Sequence, residues 1–327
     1  MPVISAYPNG STAGTPPGKN DHERAKRGLV RGWSQAAVRR HTKWLYSIDG
    51  DQLASSSRGW ALTLTMRDCP PDSETFTRLR GAWLKRMERH GVDLSHWVVE
   101  WQARRVPHMH CAIYESIPVL HALDDDGAAV AAPQGIGAGP APEGSDAAAE
   151  PKEVPDGAGL RPGMEGLDLG TVALLEWIDV AGPYGATWSG QDVKPIEGAM
   201  GWLKYLSKHA ARGVRHYQRQ GMPPGWEKTG RLWGKGGAWP EIAPVRLQMS
   251  QPAFHRYRRL VRSWRVADAR ASGDPRRISA ARRMLASSDP KLSAVRGVSE
   301  WTAQPIILDL IGLLADEGHL ILQEDNA

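Results

Sequence analysis

An α+β fold built on an antiparallel sheet is predicted by three features of the sequence. The apolar alternation Trp60-Ala61-Leu62-Thr63-Leu64-Thr65 reads as a strand, closed by Asp68-Cys69-Pro70-Pro71, where two prolines forbid continuation. Two further strands, Trp97 to Gln102 and His108 to Tyr114, are joined only by Ala103-Arg104-Arg105-Val106-Pro107. So short a connection makes them antiparallel, which favours α+β over a parallel α/β sheet. Helical periodicity between the strands supplies the third feature: Phe76, Leu79, Trp83, Leu84 and Met87 form one apolar stripe.

Taken in order, residues 1–28 are polar and rich in Pro, Gly, Ser and Thr, and read as a disordered arm. A basic helix follows, with Val30, Trp33, Ala37, Val38, Trp44 and Leu45 at helical spacing. Asp72 or Ser73 caps the next helix and Gly91 ends it. The main domain is expected to occupy 29–118 and 171–240. Between its halves, 119–170 is an acidic stretch of Ala, Gly and Pro, too poor in large apolar residues to offset its ordering entropy. A strand is expected at Gln191 to Ile196 and a helix from Gly198 to Arg212, with Met200, Leu203, Leu206 and Ala210 as its buried stripe. Residues 241–327 read as a basic, helical C-terminal region.

With 41% hydrophobic and 24% charged residues the chain has the composition of a globular protein with a sizeable core. It lacks a run of 18 apolar residues, so no membrane partner is expected, and a cytoplasmic location is. Cys69 and Cys111 are too few for a disulfide framework or a thiolate zinc site. The net charge of +5 hides a strong asymmetry. From Lys204 to Arg283 there are 19 Lys and Arg against 4 acids, whereas His121 to Val180 holds 12 acids against Lys152 and Arg161. A basic region of that density suits a polyphosphate partner, because each neutralised phosphate releases counterions. Arg256, Arg258, Arg259 and Arg262, with Arg212 and Arg231, are the candidate DNA contacts; a merely solvated face is the plainer alternative.

Two constellations carry possible chemistry. On a strand, His108 and His110 project from one face while Met109 and Cys111 take the other. Adjacent imidazoles make half a divalent-metal site, and Glu100 on the preceding strand can supply a carboxylate, with Gln102 as a fallback. His-x-His alone is a weak signal. The second constellation is Tyr205-Leu206-Ser207-Lys208, where Tyr205, Lys208 and Arg212 share a helix face opposite the buried stripe. Neighbouring cations favour phenolate and stabilise charge on phosphoryl oxygens. An ordinary amphipathic helix with a surface tyrosine would show the same pattern.

In combination, Ala61-Leu62-Thr63-Leu64-Thr65, then Glu100 through His108-Met109-His110, then Tyr205-Leu206-Ser207-Lys208-His209, resemble the HUH endonucleases, in particular the rolling-circle replication initiators of plasmids and phages. Gly230-Arg231-Leu232-Trp233-Gly234 is similar to the same branch. The resemblance covers roughly residues 58–118 and 171–235. It implies a ferredoxin-like antiparallel sheet, Mg²⁺ or Mn²⁺ held by His108, His110 and Glu100, and Tyr205 as nucleophile with Lys208 on the phosphate. It further implies single-stranded origin DNA as substrate, a 5′-phosphotyrosine intermediate, and a host helicase and DNA polymerase as partners.

Tyr217, the next tyrosine, lies beyond Gly213 and off that helical face, so one nucleophile is expected. Gly230 to Gly237 lacks the spacing of a nucleotide-phosphate loop, so no nucleotide cofactor is expected. Of the tryptophans, Trp188, Trp202, Trp226, Trp233, Trp239 and Trp264 could stack bases, though core positions in place of scarce Phe account for most. A conjugative relaxase or HUH transposase is the nearest enzymatic alternative. A non-catalytic nucleic-acid-binding regulator is the alternative from another class.

Overall fold

The computed structural model describes residues 1–15, 29–117, 164, 166–198, 201–203, 217–286 and 298–323. Its first sheet is the predicted α+β unit. Strands β3 (Ser57–Leu64), β4 (Leu94–Trp101), β5 (Pro107–Ser116), β6 (Asp192–Pro195) and β7 (Trp233–Gly236) lie in the order β6-β3-β5-β4-β7, each pair antiparallel. Helix α3 (Ser73–Arg89) carries the chain from β3 to β4, and β5 pairs between them. Helix α4 (Leu169–Ala181) precedes β6, which pairs on the far side of β3. The result is the split βαβ arrangement of a ferredoxin-like sheet with one strand added at the edge.

Local chemistry explains these elements. Asp72 caps α3 by accepting from Thr75 N at 2.6 Å, and Gly91 leaves the helix at φ +84°. Trp60, Leu62 and Leu64 of β3 alternate inward, against the buried Phe76, Trp83 and Met87 of α3. Buried Arg80 lies among them with its guanidinium 3.8 Å from the Trp97 ring, and burial lowers its proton affinity to about 10. Gly170 lets α4 sit directly on β3: a Cβ there would meet Trp60 Cδ1 at 2.3 Å.

A second sheet was not anticipated. Strands β1 (Val3–Tyr7), β2 (Gly10–Gly14), β8 (Val245–Met249), β9 (Val298–Glu300) and β10 (Ile321–Gln323) form it in the order β10-β8-β1-β2-β9. The reading of residues 1–28 as a disordered arm is therefore corrected for its first half, because β1 is the central strand and is buried throughout. Short polar residues hide the signal: Ser5 and Ser11 are buried, and Ser11 Oγ meets Tyr257 Oη at 2.8 Å. The C-terminal region is likewise not purely helical. Helices α5 (Gln251–Ala271), α6 (Pro275–Ala286) and α7 (Gln304–Asp316) alternate with three of these strands. Phe254, Tyr257 and Val261 of α5 and Ile307 and Leu314 of α7 cover one face of the sheet.

Helix α1 (Gln35–Ser47) lies between the sheets and starts later than expected, at the Ser34 cap, leaving Val30 exposed and Trp33 outside the helix. Its Tyr46 hydroxyl meets Ser299 Oγ at 2.9 Å on the second sheet, while His41 and Trp44 turn to the first. A seven-residue helix, α2 (Gly50–Ser56), leads into β3. Most of the acidic stretch 119–170 lies outside the described residues; its last two, Leu169 and Gly170, begin α4. Among the described residues no helix is long and apolar enough to cross a membrane.

Ile4, fully buried between Ala13 and Leu247, tests the role of the N-terminal hairpin. Ile4→Ala is expected to cost about 2–5 kcal/mol in denaturant unfolding. An unchanged midpoint would return residues 1–14 to the status of a dispensable arm.

Candidate metal centre and its surroundings

The β4–β5 register builds the site. Glu100 stands directly opposite His108, and Val98 opposite His110, so the carboxylate and both imidazoles share one face. Residues Gln102 to Val106 close the hairpin tightly, with Arg105 in the left-handed region at φ +62°. One ligand atom from each of Glu100, His108 and His110 lies within 4.8 Å of the others, and all three residues are buried. The two Nε2 atoms are 3.0 Å apart, about the separation of two cis ligands each ~2.1 Å from one ion. The group could hold a metal ion. Thr63, opposite His110 on β3, reaches His110 Nδ1 through its hydroxyl at 3.2 Å, which orients the ring. Gln102, the fallback ligand, instead accepts from Arg104 Nε at 2.6 Å. Met109 and Cys111 point to the opposite, helix-covered face, where burial pushes the Cys111 thiol up and leaves it unreactive.

Arg219 is the residue that sequence reasoning missed. Its Nε donates to Glu100 Oε1 at 3.1 Å, with both side chains fully buried, and its guanidinium stacks 4.4 Å from the Trp33 ring. Trp33 in turn donates to Val99 O at 3.0 Å. A separation of 119 residues between Arg219 and Glu100 gives no local pattern to find.

Four residues before Glu100 on the same face of β4, His96 forms a second anchor. Trp202 Nε1 donates to His96 Nδ1 at 3.1 Å, so the neutral ring carries its proton on Nε2. That Nε2 lies 3.0 Å from His41 Nε2, which accepts. Burial, and secondarily His41, hold His96 well below the ordinary imidazole range. The segment 204–216 is thus bounded on both sides by residues bonded to one face of β4: Trp202 to His96, and Arg219 to Glu100.

The predicted Tyr205, Lys208 and Arg212 lie outside the described residues, as do Met200, Leu206 and Ala210; of that helix, residues 201–203 are helical and Leu203 is buried as expected. Tyr217 is exposed on a short 3₁₀ turn, Tyr217–Arg219. Arg231 is exposed just before β7. Arg256, Arg258, Arg259 and Arg262 sit on α5, in the module of the second sheet, and together line a groove with His255 and Leu285. Arg256 is paired with Glu317 at 3.0 Å, and Arg258 is turned inward over the Phe254 ring at 5.3 Å. Of the six tryptophans considered for base stacking, Trp202, Trp226 and Trp239 are core residues, Trp233 and Trp264 are half-buried, and Trp188 is exposed.

Fold and site define an α+β protein whose central hairpin presents two histidines and a carboxylate that could hold a metal ion. The chain is 40% identical over 333 residues to a protein of Xylella fastidiosa strain 9a5c provisionally named a replication protein, covering 99% of this chain and 100% of that one. It is 36% identical over 328 residues to the replication-associated protein G2P of Pseudomonas phage Pf3, covering 98% of this chain and 100% of the relative. It belongs to the family of replication proteins that these two represent. No protein-family model and no solved structure matches the chain.

Two outcomes follow from the buried contacts. Arg219→Met removes the buried arginine that pairs with Glu100 and is expected to cost about 3–5 kcal/mol, largely recovered in Glu100→Gln/Arg219→Met. Equal instability of single and double variants in denaturant titrations would contradict the pairing. The depressed His96 sets a pH dependence with a definite sign. Below about pH 6.5 the unfolded chain takes up a proton that folded His96 refuses, so stability falls toward acid by up to ~1.4 kcal/mol per unit. Melting temperatures from pH 7.5 to 5 should show this decline, and His96→Asn, which keeps an acceptor for Trp202, should flatten it.

Proposed function

We propose that this replication protein is an HUH-type initiator that nicks and rejoins single-stranded DNA at a replication origin through Tyr205. One observation carries the reading. The segment holding Tyr205 and Lys208 is flanked by Trp202 and Arg219, and both flanking residues are bonded to the face of β4 that carries Glu100 beside His108 and His110. Both flanks of the tyrosine segment are thus anchored on the strand that carries Glu100, which supports Tyr205 as the nucleophile at this site.

The balance of charge supports a phosphate substrate. Arg219 offsets the charge of Glu100, and imidazoles bind a metal ion in their neutral form, so a divalent ion held here would keep positive charge for an oxyanion to meet. Two imidazoles with one carboxylate suit Mn²⁺ better than Mg²⁺, and an ion held by them would polarise the scissile phosphate. Tyr205 Oη, losing its proton, attacks phosphorus; the bond to the 3′ oxygen breaks and that oxygen takes up a proton. The products are a 5′-phosphotyrosine and a free 3′-OH able to prime a polymerase. Phosphodiester energy is conserved in the link, so rejoining needs no nucleotide. Lys208 steadies the phosphate, and the arginines of α5, with Arg212 and Arg231, hold flanking phosphates. A host helicase and DNA polymerase would extend the opened strand.

The test is covalent capture of a labelled single-stranded origin oligonucleotide with Mn²⁺. Tyr205→Phe is expected to abolish the adduct with little change in DNA affinity, since it removes one hydroxyl. His108→Ala and His110→Ala should each lose cleavage on the order of 10²-fold or more. Adduct formation by the Phe variant would move the nucleophile to Tyr217. No adduct with the wild-type chain would favour a non-catalytic DNA-binding regulator.

A further inference from the structure

Trp188 is anomalous among the 14 tryptophans of the chain. The other thirteen are buried or half-buried, whereas its side chain is 55% exposed. The indole is not on a loose loop. It opens the 3₁₀ turn Trp188–Gly190, whose ends are closed by Gly190 N to Thr187 O and Gln191 N to Trp188 O, both at 3.1 Å. The turn is then fastened to Thr65, one residue beyond β3. Thr65 N donates to Gln191 Oε1 at 2.7 Å, Gln191 Nε2 donates to Thr65 O at 3.2 Å, and the Thr65 hydroxyl donates to Gly190 O at 2.5 Å.

That attachment fixes where the turn carrying Trp188 stands. Thr63, two residues before Thr65, pairs with His110 on one side and with Asp192, at the start of β6, on the other. The same Thr63 hydroxyl contacts His110 Nδ1. The turn therefore sits at the end of the sheet that carries the histidine pair. One strand spacing and two residues along the strand separate His110 from Thr65, on the order of 5 Å and 7 Å. An exposed indole on a rigid support beside a phosphate-reactive site is suited to a flat π partner, because every nucleobase offers a face and stacking needs no further hydrogen bonds.

We propose that Trp188 is a stacking platform for a nucleobase of the single strand, next to the nucleotides flanking the scissile phosphate. The inference deepens the proposed reaction and rests on its placement of DNA at His108 and His110. Stacking holds an unpaired base and is closed to a base already sandwiched in a duplex, so the platform also selects single-stranded over double-stranded DNA.

The experiment measures binding of the full chain to a labelled single-stranded oligonucleotide by fluorescence anisotropy, in a Tyr205→Phe background without divalent metal, so that no covalent step contributes. Trp188→Ala is expected to weaken binding by about 5- to 150-fold, and Trp188→Phe to retain most of the affinity. An abasic scan of the oligonucleotide locates the stacked base. One abasic position should weaken binding to the tryptophan protein and have little further effect on the Ala variant, a coupling that a surface residue without a base partner cannot produce. Equal affinity of the Ala variant, or abasic penalties identical in both proteins, overturns the proposal. Its failure is distinguishable from that of the nicking reading: coupling without any wild-type adduct leaves the platform and removes the nuclease, and an adduct without coupling does the reverse.

Discussion

The fully buried ion pair between Arg219 and Glu100 is the contact on which the site depends. A carboxylate at the centre of a sheet face would otherwise be protonated or hydrated, since its desolvation far exceeds what neighbouring dipoles return. Arg219 meets it with the opposite charge, and the Trp33 ring packs against the guanidinium. The pair also joins two parts of the chain 119 residues apart, so it fixes where the polypeptide returns after the tyrosine segment. With Trp202 on His96, four residues earlier on β4, it ties residues on either side of 204–216 to one strand. A carboxylate that could bind a metal ion thus also pairs with a structural arginine, and an ion held there would share Glu100 with Arg219.

The second sheet contributes in a different way. Its central strand comes from the N-terminus and its other strands from the hairpin partner and the C-terminal region, so the sheet closes only when the ends of the chain meet. Helix α1 transmits that closure to the site. Tyr46 engages Ser299 and packs edge-on against Trp301, Asn9 Nδ2 donates to Ile48 O at 2.6 Å, and His41 on the same helix carries the hydrogen bond to His96. The arginines of α5 ride on this module, and several are engaged within it, Arg256 with Glu317 and Arg265 with Glu300. The basic charge evident in the sequence is therefore partly paired within the fold.

Much was legible in the sequence where the determining forces are local. The strand at 60–65, the α3 cap at Asp72 and its stop at Gly91, and the short β4–β5 connection all depend on residues within a few positions of one another. The shared face of His108 and His110 follows from two-residue strand periodicity alone, and Glu100 follows from the register that a short connection imposes. The same reasoning fails for β1 and β2. Val3 to Gly14 reads as polar and turn-rich, and becomes a sheet only because α5 and α7 on one side and α1 on the other exclude water from it.

The sequence by itself determined the α+β class and which three side chains converge on the hairpin, because alternation and register are properties of the backbone. Tertiary structure alone decided what those side chains meet. Arg219, Thr63 and Trp33 reach the site from three separate elements, and His41, His96 and Trp202 from three more, with contacts set by how layers pack rather than by spacing along the chain. It also separated the tryptophans, whose identical chemistry cannot say which indole a helix will cover. Only the fastening of one turn to Thr65 leaves Trp188 in water, where every other tryptophan finds at least partial cover.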